Sequence, residues 1–182
     1  QTLSNGDLAD SDTVDMILEG AADYCENVIA PLNQSGDAEG CHWEDTNVTT
    51  PKGFKEAYDI FVQSGWQGLS YPVEFGGQGL PMSLNLVKSE MMGTANWSIT
   101  MYPGLSTGCM NTILQFGTDE QKQTYMPKLV EGSWSGTMCL TEPQCGTDLG
   151  QVKTKAEPQA DGSYKVSGTK IFISAGEHDL TE

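Results

Sequence analysis

Residues 138–148 read Met-Cys-Leu-Thr-Glu-Pro-Gln-Cys-Gly-Thr-Asp and hold the densest set of groups suited to ligand chemistry in the chain. A hydroxyl on an extended segment, Thr141, can orient a planar heterocycle through one hydrogen bond. Glu142-Pro143 then ends ladder pairing, because proline has no N–H to donate. Gly146 lets the backbone approach a ligand closely, neighbouring N–H groups can face phosphate oxygens, and Thr147 adds a hydroxyl there. A second segment, residues 170–176, reads Lys-Ile-Phe-Ile-Ser-Ala-Gly and offers the flat face of Phe172 and the hydroxyl of Ser174. On these residues alone, an ordinary β-hairpin with a glycine turn accounts for the same pattern, and both readings stand.

The other chemically capable residues point nowhere so definite. Five cysteines, Cys25, Cys41, Cys109, Cys139 and Cys145, form neither an even set nor a Cys-x-x-Cys pair. That argues against a disulfide framework and for reduced thiols in a cytoplasmic protein. Cys41-His42 lacks a second ligand pair, so no metal is expected. His42 and His178 receive no role. Trp66, Trp97 and Trp134 read as core anchors. Charge narrows the partners: 25 acidic residues stand against 9 basic ones, all lysine, for a net charge of −16. A nucleic-acid or anionic membrane surface needs a cationic face, which this composition disfavours. No apolar run is long enough to span a bilayer, and the polar opening carries no basic-then-apolar leader pattern.

The elements that must position these residues change character along the chain. Apolar residues from Val14 to Leu32 recur at helical spacing, so a helix is expected over 12–32, capped by Ser11 and stopped near Pro31. Residues 33–50 are polar and read as a loop. Thr50-Pro51 reads as the entry to a second helix with the stripe Phe54, Ala57, Tyr58 and Phe61. Glycines and prolines forbid a regular element over 65–81. Further helices are expected over 83–95, through Leu84, Val87 and Met91, and within 106–116. Thr118 and Gln121 form a capping box for another that ends at Gly132. Beyond it the period becomes two, with strands expected over 135–141, 151–156, 163–166 and 169–174 and a turn at Asp161-Gly162. The fold class is therefore α+β: an all-α domain over 1–133, then the opening of an antiparallel, barrel-like β domain over 134–182. A sheet that stops after four strands has open edges, so a piece of a longer protein is expected.

Several motifs in register give the chain a resemblance to the acyl-CoA dehydrogenase family over nearly its whole length. They are Gly65-Trp66-Gln67-Gly68-Leu69, Glu74-Phe75-Gly76-Gly77-Gln78-Gly79, Tyr102-Pro103-Gly104 and Gly117-Thr118-Asp119-Glu120-Gln121-Lys122, followed by Thr141-Glu142-Pro143 with Gly146-Thr147-Asp148, and Gly168 to Ser174. Within the family, Thr141 to Asp148 and Ile173 to His178 look most like a large subgroup spanning methylmercaptopropionyl-CoA and long-chain members.

The resemblance implies an FAD enzyme that converts an acyl-CoA thioester into its trans-2-enoyl form. A carboxylate takes the α proton, the β hydrogen leaves as hydride to the flavin, and electrons pass to an electron-transfer flavoprotein. It places Met138, Leu140 and Thr141 along the flavin ring, Gly146 and Thr147 near the pyrophosphate with Thr147 also near the CoA arm, and Phe172, Ile173 and Ser174 over the ring's other side. Many members have Trp at the place of Phe172, and an aromatic residue at that of Met138. Thr100 and Met101 would line the end of the acyl chain, a place that plain packing at a helix start explains equally well. The family's catalytic glutamate lies in a C-terminal helical domain outside this chain, so no catalytic residue is expected here, and Glu142 reads as structural. A homodimer or homotetramer is implied for the full protein. The 182 residues alone are expected to be inactive and to bind FAD poorly. An acyl-CoA oxidase, or a non-catalytic flavin-binding relative, would share these motifs.

Overall fold

The computed structural model describes residues 9–182; the polar opening read for a leader, residues 1–7, lies outside them. The first helix, α1 (Ser11–Tyr24), starts one residue ahead of the expected cap: Asp10, not Ser11, accepts from the Thr13 amide at 2.8 Å. It runs into a π-helical turn (Cys25–Ile29) and then α2 (Leu32–Glu39). Pro31 therefore does not end the helical path. At the entry to α2 its missing N–H is one that no helix uses. The expected loop over 33–50 is corrected accordingly, since it holds α2 and a hairpin of β1 (His42–Glu44) and β2 (Asn47–Thr49). That hairpin turns through Asp45 and Thr46 at φ 48° and 81°, a left-handed pair formed without the usual glycine.

The helix α3 (Phe54–Gln63) buries the four aromatic and alanine positions of its stripe, but Thr50 does not cap it. Gly53 precedes the helix at φ 90°, while the Thr50 amide and hydroxyl donate to Asp179 Oδ1 at 3.0 and 2.8 Å. Residues 65–81 hold only a short 3-10 turn (Val73–Phe75), yet Trp66, Leu69, Tyr71 and Phe75 are buried there. Gly77 is required in that segment: a Cβ on it would lie 2.1 Å from the Tyr71 carbonyl oxygen.

The helices α4 (Met82–Ala95) and α5 (Trp97–Phe116) are separated by the single fully buried Asn96. Its Oδ1 accepts from Ile99 N at 3.2 Å to cap α5, and its Nδ2 donates to Ile29 O at 3.0 Å. The expected 106–116 helix is thus only the second half of α5, which passes through Pro103. Thr100 and Met101 lie inside a helix already begun at Trp97. The face of α4 also differs from the expected stripe. Leu84, Asn85, Lys88 and Met92 are buried while Val87 is exposed, a shift of one residue around the helix. The capping box on α6 (Asp119–Glu131) is present in both halves, and Gly132 ends the helix at φ 95°.

Two apolar clusters result. One gathers α1, the π-turn, α3 and α4 around Ala21, Ile29, Phe61 and Met92; the other joins Tyr71, Phe75 and Met110 to Met126 and Val130 of α6.

In the last third, β3 (Lys155–Pro158) and β4 (Tyr164–Ser167) pair antiparallel from Lys155↔Ser167 to Pro158↔Tyr164. The strand expected from residue 151 begins at 155, because Leu149–Gln151 forms a 3-10 turn. The strands expected over 135–141 and 169–174 do not form. No ladder runs along either, and Phe172, at φ 55°, breaks the extended path of the second. The described residues hold two small antiparallel sheets and no closed barrel.

Candidate flavin-facing segments and a helix-lined cavity

Although neither forms a strand, the two chemically marked segments do meet. Ile171 N donates to Thr141 O at 2.9 Å, Lys170 Nζ to Leu140 O at 2.9 Å, and Thr137 Oγ1 to Ser174 O at 2.5 Å. Residues 137–141 and 170–174 therefore run antiparallel side by side. Gly146 folds back to the same place, since a Cβ on it would meet only Thr141, at 3.6 Å from Cγ2.

Glu142 builds this corner. It is 3% exposed, and its carboxylate accepts from Lys170 Nζ (2.8 Å), Lys153 N (2.8 Å), Thr154 N (3.0 Å) and the Gln144 amide. The Lys170 ammonium foremost, then the amides of Lys153 and Thr154, hold it far below the usual carboxylate range. A carboxylate surrounded by donors in this way fastens backbone, in keeping with the structural role read from the sequence. Reciprocal bonds between Glu142 and Cys145 (2.8 and 3.1 Å) close the turn that returns Gly146 to Thr141.

Around that corner, Met138 and Phe172 are 62% and 87% exposed. Leu140, Thr147 and Ser174 are also exposed, and Thr141, Gly146 and Ile173 are half-buried. Exposed large apolar side chains grouped with hydroxyls are what a ligand or partner face presents.

Thr100 and Met101 do not join this group. They line a separate cavity of about 310 Å³ between α3, α4 and α5, with Phe61, Met92, Trp97 and Leu105. Trp97 is 68% exposed at its rim, which corrects its reading as a core anchor. Trp66 is buried, and Trp134 packs half-buried against the second cluster. The other face of α5 receives the segments that flank the corner. Ser106 Oγ accepts from Gly136 N at 3.1 Å, and Tyr102 lies edge-on to His178 with ring centroids 4.9 Å apart.

Two residues that sequence reasoning left without a role matter here. His178 is buried, with Nε2 3.0 Å from Ser135 Oγ and Nδ1 accepting from Leu180 N at 3.3 Å. An accepting Nδ1 is unprotonated, and burial lowers the pKa, so the ring is the neutral Nε2–H form. A lone histidine gave no signal of this. Lys88 is 6% exposed in the cavity wall. Its Nζ donates to Trp66 O at 3.0 Å and lies 5.6 Å from the Phe61 ring centroid, and burial brings its pKa down to about 8. The i, i+4 series Leu84, Lys88, Met92 was its only trace in the sequence.

The fold just described is similar to that of solved members of one flavoprotein family. The butyryl-CoA dehydrogenase from Megasphaera elsdenii superposes with a TM-score of 0.77 at 28% identity, over 92% of this chain and 42% of that one. The acyl-CoA dehydrogenase N-terminal domain family matches residues 11–133, and the chain belongs to the acyl-CoA dehydrogenase family. A 3-methylmercaptopropionyl-CoA dehydrogenase of Ruegeria pomeroyi is 47% identical across 182 residues, all of this chain and 30% of that protein. An acyl-CoA dehydrogenase complexed with FAD from Bacillus anthracis superposes with a TM-score of 0.73 at 25% identity, over 92% of this chain and 27% of the other. The chain thus spans less than a third of the Ruegeria relative.

Proposed function

We propose that the protein to which this chain belongs is an FAD-dependent acyl-CoA dehydrogenase that forms a trans-2-enoyl-CoA and passes electrons to an electron-transfer flavoprotein. The observation that supports it most is the meeting of residues 137–147 and 170–174 at the Glu142 corner, with Phe172 and Met138 left exposed. These residues fit a flavin. Phe172 supplies an uncovered flat face, the Thr141 hydroxyl a donor, and Gly146 a stretch of backbone whose missing Cβ leaves room for a phosphate. Bound FAD would supply the hydride acceptor.

This chain's own part is orientation. With FAD bound, Met138, Leu140 and Thr141 would lie along the ring, and Phe172, Ile173 and Ser174 would close its other side. Gly146 and Thr147 would hold the pyrophosphate side, with Thr147 reaching the CoA arm, while Thr100 and Met101 would face the acyl chain from α5. No residue here is assigned the α proton. We assign residues 1–133 to the helical domain and 134–182 to the start of the middle domain of a cytoplasmic homo-oligomer active in fatty acid metabolism.

In the full-length protein, Thr141→Val is expected to shift the flavin absorption bands and slow flavin reduction by butyryl-CoA roughly fivefold, the equivalent of one lost hydrogen bond of about 1 kcal/mol. An unchanged spectrum with an unchanged reduction rate would remove Thr141 from the flavin. Hydrogen peroxide release at each turnover would make the protein an oxidase instead.

A further inference from the structure

The cavity lined by Thr100 and Met101 is not wholly apolar. Most of its wall is Phe61, Met92, Trp97 and Leu105, but Lys88 and Gln67 line it too, and they are 6% and 3% exposed. A lysine ammonium has three N–H donors. Trp66 O takes one, and the Phe61 ring gives a second side weak cation–π support. Gln67 donates from Nε2 to Pro103 O at 3.4 Å, while its buried Oε1 has no hydrogen-bond partner. An alkyl tail filling this space would cover a buried ammonium without giving it an acceptor, an arrangement that costs free energy. A tail carrying an oxygen acceptor would complete the ammonium's shell, and a hydroxyl would in addition donate to Gln67 Oε1.

We propose that this cavity selects acyl chains bearing an oxygen acceptor near the end remote from the thioester, with Lys88 as the specificity-determining donor. The inference rests on the acyl-CoA dehydrogenase reading and names the substrate class within it. A site built to hydrogen-bond a substrate oxygen discriminates against the analogue that lacks it, because its own polar group is otherwise left unpaired.

The test uses the full-length, flavin-loaded protein and two matched sets of thioesters: butyryl-, 4-hydroxybutyryl- and succinyl-CoA, then hexanoyl-, 6-hydroxyhexanoyl- and adipoyl-CoA. In the unmodified protein, kcat/KM for a hydroxyl- or carboxyl-ended chain is expected to exceed that of the plain chain in at least one set. Lys88→Met is expected to cut that ratio about tenfold, the worth of one hydrogen bond to a charged donor. Preference for the carboxylate alone would identify charge pairing as the recognition, and preference for the hydroxyl would identify the Lys88–Gln67 pair. Plain chains favoured in both sets overturn the proposal without any variant, and so does a ratio that Lys88→Met leaves unchanged. If none of the six thioesters is oxidised, the dehydrogenase reading falls and this inference with it. Turnover of the plain chains with no effect of the tail overturns this inference and leaves the dehydrogenase reading standing.

Discussion

At the scale of single residues, the structure turns on polar side chains that fasten backbone. Asn96 serves two elements at once, capping α5 and donating to the last carbonyl of the π-turn. Asn96→Ala is expected to lower the unfolding free energy by about 2–3 kcal/mol, a lost cap plus an unpaired buried carbonyl, read as a shift in the urea midpoint. His178 and Glu142 both make the stability depend on pH. Burial lowers the folded pKa of His178 beneath its ordinary 6.5. The unfolded chain therefore binds more protons in that range. His178's contribution is complete above about pH 6.5 and is lost as pH falls through the folded value. Glu142 is likewise depressed, from an ordinary 4.5, so its contribution is complete above that pH and is lost only in stronger acid. Thermal melts between pH 8 and 3 should show two successive losses, and His178→Gln should flatten the first while leaving the second.

At the scale of elements, local chemistry settles an end only where both partners of the cap lie within it. The capping box of α6 forms as the Thr118/Gln121 spacing requires, because both partners lie within one turn and need nothing from the rest of the chain. Thr118→Ala should cost about 1 kcal/mol by denaturant titration. The same logic misplaced the start of α3. Thr50 is chemically a good cap, but Asp179, 129 residues away, takes its amide and hydroxyl instead. On α4, the apolar stripe Leu84, Val87, Met91 was the natural choice, yet the tertiary face is the one that contains Lys88. Burying that lysine became possible only because Trp66 O and the Phe61 ring were already there to receive it. The segment 65–81 was legible as turns but not as core. Its glycines mark close approaches, and Gly77→Ala should destabilise by about 1–3 kcal/mol or more, since the added carbon meets backbone that has nowhere to move.

At the scale of the whole molecule, residues 177–181 strap the β-containing end to the helices. Asp179 holds Thr50, its carbonyl receives the Lys55 ammonium, Leu180 enters the first apolar cluster, and His178 packs on Tyr102 and Ser135. Asp179→Ala should make residues 170–182 the first site of limited proteolysis and lower Tm by several degrees, about 1–2 kcal/mol for two lost hydrogen bonds. Unchanged cleavage kinetics would show that the strap holds without it.

By itself the sequence determined what depends on neighbours in the chain: the α6 box, the Asp161-Gly162 hairpin, and the motif series that marks the family. It also marked Thr141, Glu142, Gly146 and Thr147, which lie within one short stretch, but not Lys153 and Thr154, whose amides hold the Glu142 carboxylate. Only the tertiary structure decided which segments are strands: residues 137–141 and 170–174 lie side by side and share the Ile171 N to Thr141 O bond, yet no ladder forms along them among the described residues. It alone also decided what becomes of isolated polar residues such as His178, Asn96 and Lys88. Their partners lie on distant elements, and a buried polar group is stable only where folding brings such a partner to it.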